Sequence, residues 1–194
     1  MNFLGHLYFS ENNSELMYAN LYGDHIKGRH FDQLPELIQK GIKLHRSIDN
    51  YIDHHPKVND LMRQLYPELP KVTGIAIDLF FDHLLAKNWA NYHSKSFEIF
   101  LDEFYIYNPI YWNYYSTEFH EFIDKMKTYK WMNYYTQFEG LQKSCEGVSS
   151  RLSFSNELIN APIVFLKHEK VITDCFKEYM KEANVFFNQK EINN

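Results

Sequence analysis

The chain has 194 residues, of which 45% are hydrophobic and 18% aromatic. A chain of this length and composition can bury a core without disulfides, which excludes a disordered protein. Its formal net charge of −5 argues against a general nucleic-acid or anionic-membrane binder, because both need a basic face.

The spacing of apolar residues predicts an all-α fold, a single-domain helical bundle over residues 1–194. Glycine and proline are scarce, at 7 and 6 residues, and apolar residues recur every three or four positions. The first predicted helix starts near Ser14. A second follows Pro35, a favoured first-turn residue, and ends near Pro56. A third covers about residues 72–89.

The second half of the chain is predicted to be helical as well. Phe, Tyr and Trp dominate residues 96–139, and Pro109 should break this aromatic segment into two helices. A long final helix is predicted from Pro162 to about Phe187, followed by a fraying tail.

The two cysteines and the lengths of the apolar runs indicate the cellular location of the protein. Cys145 and Cys175 are isolated in sequence, and no CxxC motif is present. The N-terminus has no basic segment or small-residue cleavage site of a signal peptide, and no apolar run approaches about 20 residues. We therefore expect a cytoplasmic protein with no membrane or nucleic-acid partner.

Ionisable residues lie on the apolar faces of two predicted helices. His45 and Asp49 are four apart, as are Asp78 and Asp82, so each pair shares a face. Asp24 follows Gly23 on the preceding element. Buried carboxylates that converge need a cation, and imidazole with carboxylates suits Mn²⁺, Fe²⁺ or Zn²⁺. The alternative is a set of solvated pairs and a satisfied core histidine.

Other ionisable residues have more than one interpretation. His6 lies in an apolar run, where a lone histidine is usually a packed core residue. Arg46 and Arg151 are each predicted either to clamp a phosphate or to pair with an acid. Lys27 and Lys43 belong to a basic rim that is either solvated or a docking surface for an acidic partner.

Five motifs in order resemble the acyl carrier protein phosphodiesterases. They are MNFLGHL, NLYGDHIKG, GIKLHRSIDNYIDHHP, GIAIDLFFDHLLAKNW and GVSSRL. The resemblance runs from residue 1 to about 92 and then thinly through 140–152. It implies hydrolysis of the 4′-phosphopantetheine group from holo-acyl carrier protein, a divalent metal such as Mn²⁺, and an HD-domain-like helical fold.

The resemblance also implies a set of site residues. The chain contains no His-Asp dipeptide, so the ligands of HD proteins cannot be transferred directly. Metal ligands are assigned to residues in the matching motifs that lie on apolar stripes: Asp24, His45, Asp49, Asp82 and His83. Catalytic roles fall to Arg46, His6 and Asp78, with His6 and Asp78 as alternative ligands. Substrate contacts are assigned to Lys27, Lys43 and Arg151.

Two other functions remain open from the sequence. One is an HD-type metal phosphohydrolase that acts on a nucleotide or another small phosphodiester. The other is a non-catalytic helical binding module, which would bind no metal. The identity and number of metal ions, the histidine that acts as general acid, the acyl chains tolerated and the oligomeric state are also left undecided.

Overall fold

A computed structural model describes residues 1–10 and 12–192, with side chains described as far as residue 188. The described residues are 74% helical. The described residues contain no strand and form nine α-helices: α1 Phe3–Tyr8, α2 Ser14–Leu21, α3 Glu36–His54, α4 Pro56–Leu65, α5 Thr73–Lys87, α6 Phe97–Ile106, α7 Thr117–Tyr129, α8 Phe138–Ser149 and α9 Ala161–Ile192. This confirms the predicted all-α class and single compact domain.

The three helices predicted in the first half of the chain are present as α2, α3 and α5. Helix α2 does begin at Ser14, but its N-cap is Asn13, whose side chain accepts a hydrogen bond from the amide of Leu16 at 3.1 Å. Pro35 directly precedes α3, in extended geometry. The start of α2 follows from capping chemistry, since the short polar side chain of Asn13 satisfies an otherwise free amide of the first turn.

The aromatic segment is divided as predicted, because α6 ends at Ile106 and α7 begins at Thr117. The irregular stretch between them is held by Glu15, which is buried on α2. Its carboxylate accepts hydrogen bonds from the Tyr107 hydroxyl at 2.8 Å and from the amides of Ile110 and Tyr111 at 2.9 and 3.1 Å. A buried carboxylate with three donors is well satisfied, so this contact fixes the aromatic segment to α2.

The last helix is longer than predicted. It starts at Ala161, loses helical geometry at His168 and continues to Ile192. The predicted fraying after Phe187 is therefore wrong as far as Ile192, and the final two residues lie outside the described residues. No helix in the described part of the chain has the length and apolar character needed to cross a membrane.

Helices α2 and α3 cross at close contact, and this crossing positions the site. A Cβ atom built on Gly41 would lie 2.3 Å from the Cβ of Ala19, so only glycine permits this approach. The apolar stripe of α3, formed by Ile38, Ile42 and Ile48, is fully buried in the core. His45 shares this buried face, because residues three and four apart on a helix lie on one side.

Candidate metal centre

Two histidines and one aspartate converge beneath the surface of the protein. The ligand atoms of His6, His45 and Asp49 all lie within 4.8 Å of one another. His6 Nε2 is 3.3 Å from one carboxylate oxygen of Asp49, and His45 Nε2 is 3.1 Å from the other. The two imidazole rings stack at 4.1 Å between centroids. Both histidines are buried, whereas Asp49 is half-exposed.

Asp24 joins this group from the solvent side. It lies on a 3₁₀ turn, Tyr22–His25, and its carboxylate is 3.2 Å from His45 Nε2. Its side chain is 63% exposed, so Asp24 marks the opening of the cluster. The turn can lie this close to α3 because Gly23 has no side chain: a Cβ there would be 2.4 Å from His45 Cγ.

Aromatic residues of α7 and the segment before it support this turn. The ring of Tyr22 contacts those of Tyr115 and Phe119 at 4.9 and 5.1 Å between centroids. His25 packs edge-on against Phe119 at 5.2 Å. The aromatic segment therefore packs behind Asp24.

The close contacts within the cluster shift the pKa values of its members. Burial lowers the pKa of His45, but its contacts with Asp24 and Asp49 outweigh this effect and raise the pKa to about 9. Burial raises the pKa of Asp49, yet its contacts with His45 and His6 bring it well below the usual value. The pKa of Asp24 is lowered for the same reason. The acids thus favour positive charge on His45, whereas burial lowers the pKa of His6.

Helix α1, which carries His6, is anchored by the two aspartates of α5. Asp82 is buried and accepts hydrogen bonds from the amides of Leu4 and Gly5 at 2.8 and 3.1 Å. Asp78 pairs with the α-amino group of Met1 at 2.9 Å. Both oxygens of Asp82 have backbone partners, so the structure gives it a positioning role beside the cluster. Its predicted role as ligand, and the catalytic role of Asp78, gain no support.

His83 is also separated from the cluster. Its Nδ1 contacts the carbonyl of Tyr135 at 2.7 Å. With Asp82, Tyr135 and Ser144 it lines a small internal pocket of its own. Burial lowers the pKa of His83, so it is a neutral core residue. The structure therefore brings together Asp24, His45 and Asp49 from the predicted ligands and adds His6, which was predicted only as an alternative ligand.

Arg46 faces the backbone of the loop that follows Asp24. Its Nη2 donates hydrogen bonds to the carbonyls of Ile26 and Gly28 at 3.1 and 2.5 Å, and its guanidinium lies over the ring of Phe31 at 5.0 Å. Through these contacts, Arg46 stabilises the conformation of the loop that follows Asp24. The predicted phosphate contact remains a prediction.

The three predicted substrate-binding residues lie in different places. Lys27 is exposed on the loop after Asp24. Lys43 lies two residues before His45, about 200° around the helix, and lines a groove of 1160 Å³ on the opposite side of α3. Arg151 is exposed and donates from Nε to the carbonyl of Gly147 at 3.1 Å. Only Lys27 is close to Asp24 along the chain.

Asn20 belongs to the site although the sequence did not point to it. It is fully buried on α2, and its side-chain oxygen is 3.0 Å from His6 Nδ1. A detectable signal was present, because Asn20 is a polar residue on the apolar stripe formed by Leu16 and Ala19. A buried amide needs hydrogen-bond partners, which is a reason to look for a structured polar site.

The fold and the cluster define an all-α protein with a buried histidine–carboxylate centre. The chain belongs to the acyl carrier protein phosphodiesterase family, whose sequence model matches residues 1–183. This confirms the family resemblance.

Known relatives agree with this membership. The chain is 28% identical over 162 residues to an acyl carrier protein phosphodiesterase of Enterobacter sp. strain 638, covering 78% of this chain and 79% of the relative. It is 33% identical over 89 residues to one of Pectobacterium atrosepticum, covering 46% of each. It is 31% identical over 90 residues to one of Escherichia coli O139:H28, covering 46% of this chain and 47% of the relative. No solved structure matches the chain significantly.

Proposed function

We propose that this protein is a metal-dependent phosphodiesterase that removes the 4′-phosphopantetheine group from holo-acyl carrier protein. Membership of the family supports a hydrolase that acts on a phosphodiester bond, with acyl carrier protein as its substrate. The observation that carries the metal dependence is the convergence of His6, His45 and Asp49 within 4.8 Å. Manganese is the proposed metal.

The donor set fits a divalent cation. Two imidazole nitrogens and carboxylate oxygens are ligands that Mn²⁺, Fe²⁺ and Zn²⁺ accept. The Nδ1 atom of His45 is buried without a hydrogen-bond partner, so this ring makes its polar contacts through Nε2 alone, toward Asp24 and Asp49. A bound cation would relieve the repulsion between these acids, since like charges in close contact are unfavourable.

Each residue of the cluster has a role in this proposal. A divalent cation, when bound, supplies charge neutralisation at the phosphate oxygens and makes water a stronger acid. His6, His45 and Asp49 hold the cation from the buried side. Asp24 completes the ligand set at the solvent-exposed side, where a bulky protein substrate can reach it. Hydrolysis adds a hydroxyl group to phosphorus and returns the proton to the serine oxygen of the carrier.

The loop after Asp24 is the proposed docking surface for the carrier. Lys27 and Arg29 are both exposed there, next in sequence to the cluster. Acyl carrier proteins are acidic and this chain carries a net charge of −5, so encounter needs a local basic surface. Lys43 lies on the far side of α3 and is not part of this surface.

We propose a cytoplasmic location. Cys145 and Cys175 are both free thiols and both buried. Burial raises the pKa of Cys145 to about 12 and of Cys175 to about 11, so neither is a reactive thiolate. Free, unreactive cysteines are compatible with a reducing compartment.

The decisive test measures the mass of the carrier protein after incubation with the purified enzyme and Mn²⁺. Loss of the mass of phosphopantetheine from holo-carrier is the expected result. Asp49→Asn should abolish it, because one ligand charge is lost. Asp53→Asn is the matched control: it changes an exposed aspartate one turn further along α3 and should leave turnover intact.

The same incubation separates the alternatives. Turnover of nucleotides with no change in carrier mass would replace the proposal by a small-molecule phosphohydrolase. A folded protein that binds no divalent metal and hydrolyses neither substrate would replace it by a binding module.

A further inference from the structure

Asn20 uses every polar atom of its side chain. It is fully buried on α2, between α1 and α3. Its Nδ2 donates hydrogen bonds to the carbonyl of His6 at 2.9 Å and to Ser10 Oγ at 3.0 Å. Its Oδ1 is 3.0 Å from His6 Nδ1. A buried amide with three short contacts is held in a single orientation.

The surrounding groups determine which way the amide faces. The carbonyl of His6 can only accept, so the group of Asn20 that faces it must be the NH₂. Ser10 donates its hydroxyl proton to the same carbonyl at 2.8 Å, so its oxygen accepts from Asn20. Oδ1 is therefore the atom that faces the imidazole. Because Oδ1 can only accept, the Nδ1 atom of His6 must carry a hydrogen.

We propose that Asn20 is a positioning residue that keeps a hydrogen on Nδ1 of His6 and points Nε2 into the cluster, so that the Nε2 lone pair is the one offered to a bound cation. Nε2 lies 3.3 Å from Asp49 Oδ1, and the ring stacks on His45 at 4.1 Å. A lone pair in this place is the form a metal ligand needs, and hydrogen bonds to the second ring nitrogen commonly fix that form. In this respect the inference rests on the proposed function.

The packing of α2 against α3 keeps Asn20 in register with His45. A Cβ on Gly41 would lie 2.7 Å from the backbone nitrogen of Asn20, so the two helices touch at this level. The backbone of Asn20 is therefore fixed relative to the helix that carries His45. Asn20 thus fixes the position of His6 on α1 relative to His45 on α3, because both sets of contacts are tightly packed.

The tautomer can be read directly by long-range ¹H–¹⁵N NMR of the metal-free protein at neutral pH. The expected spectrum of the unmodified protein shows His6 with a hydrogen on Nδ1, where Asn20 Oδ1 accepts it. Asn20→Leu should lose this preference, because it removes the acceptor. Asn20→Asp should keep it, because a carboxylate oxygen still accepts from Nδ1. An Nε2–H tautomer in the unmodified protein overturns the proposal.

Metal titration by calorimetry gives a second readout. Asn20→Leu should weaken Mn²⁺ binding by about 10- to 100-fold, the usual cost of losing such a supporting contact. Asn20→Asp should lose less affinity than Asn20→Leu, because it keeps the acceptor for Nδ1 although its second oxygen faces the carbonyl of His6. Thr73→Val is the matched control, since it removes another buried hydrogen bond, from Thr73 to the carbonyl of Leu69, away from the cluster.

These results separate the two proposals. Unchanged Mn²⁺ affinity in a folded Asn20→Leu protein, or an equal loss in Thr73→Val, overturns the positioning role. An Nδ1–H tautomer of His6 in a protein with no affinity for divalent metal supports the tautomer assignment and overturns the metal dependence.

Discussion

Two pairs of residues with the same spacing do different work in this protein. His45 and Asp49 on α3 and Asp78 and Asp82 on α5 are each four apart, and each pair has one buried and one partly exposed member. The α3 pair meets another imidazole and a further carboxylate, which forms the candidate metal centre. The α5 pair meets backbone amides and the α-amino group of Met1, which anchors a helix. The spacing of two residues shows that they share a helix face. The groups that contact this face determine what the residues do.

The largest expected effect is on Mn²⁺ affinity and comes from removing His45, the proposed ligand of the α3 pair. His45→Ala should weaken Mn²⁺ binding by more than about 100-fold, because a ligand costs more than a supporting contact. His55→Ala is the matched control, as His55 is a second buried histidine on the chain just after α3. Calorimetric titration of both proteins checks this. Equal losses in the two variants would contradict the assignment of His45.

The second prediction compares how much the α5 pair and the α3 pair contribute to the free energy of unfolding. Asp82→Ala leaves the amides of Leu4 and Gly5 without partners, and we expect the free energy of unfolding to fall by about 2–4 kcal/mol. Asp49→Ala changes a half-exposed residue and should cost much less in the metal-free protein. Urea denaturation of both measures the difference. The reverse order would show that Asp49, not Asp82, holds the fold.

A smaller effect tests how closely the Asp24 turn must approach α3. Gly23→Ala places a methyl group 2.4 Å from His45 Cγ, so the ring or the turn must move. We expect Mn²⁺ affinity to fall about tenfold, since small displacements of ligands are costly. Gly147→Ala, with open space around the new methyl group, should leave affinity unchanged and stabilise α8 by roughly 0.5–1 kcal/mol. Similar affinities in both variants would contradict the close-contact argument.

The smallest effect concerns the docking surface. Lys27→Glu should reduce turnover of the carrier several-fold at low salt and less at high salt, because exposed charges are screened. Lys43→Glu, on the opposite side of α3, should have little effect at either salt concentration. Steady-state rates over a salt series measure both. An equal response of both variants would indicate that the carrier docks on the groove lined by Lys43, and not on the loop after Asp24.

Periodicity was sufficient for the helices because each one buries a regular apolar stripe. The helix between Pro35 and Pro56 and the break at Pro109 follow from the restricted backbone of proline. The length of α9 was underestimated because its last turns carry polar residues that periodicity does not mark.

The site was only partly predictable. His45, Asp49 and Asp24 could be proposed because acids and a histidine on apolar stripes need an explanation. His6 was predicted as a catalytic residue and only an alternative ligand, since nothing in its short run reveals that α1 lies against α3. Asp82 was assigned as a ligand because its burial was visible in the sequence pattern, while its backbone partners were not. Contacts between distant segments depend on the fold, and no local pattern records them.

The anchoring of α1 by α5 has a consequence for the order in which the site forms during synthesis. All four residues of the cluster leave the ribosome by Asp49, but the partner that orients α1 is Asp82, which emerges 33 positions later. Chains fold from the N-terminus as they grow, at about 5–20 residues per second. The half of the centre on α3, with the contacts between Asn20 and His6, can therefore assemble first, and Asp82 anchors α1 only when α5 has been made.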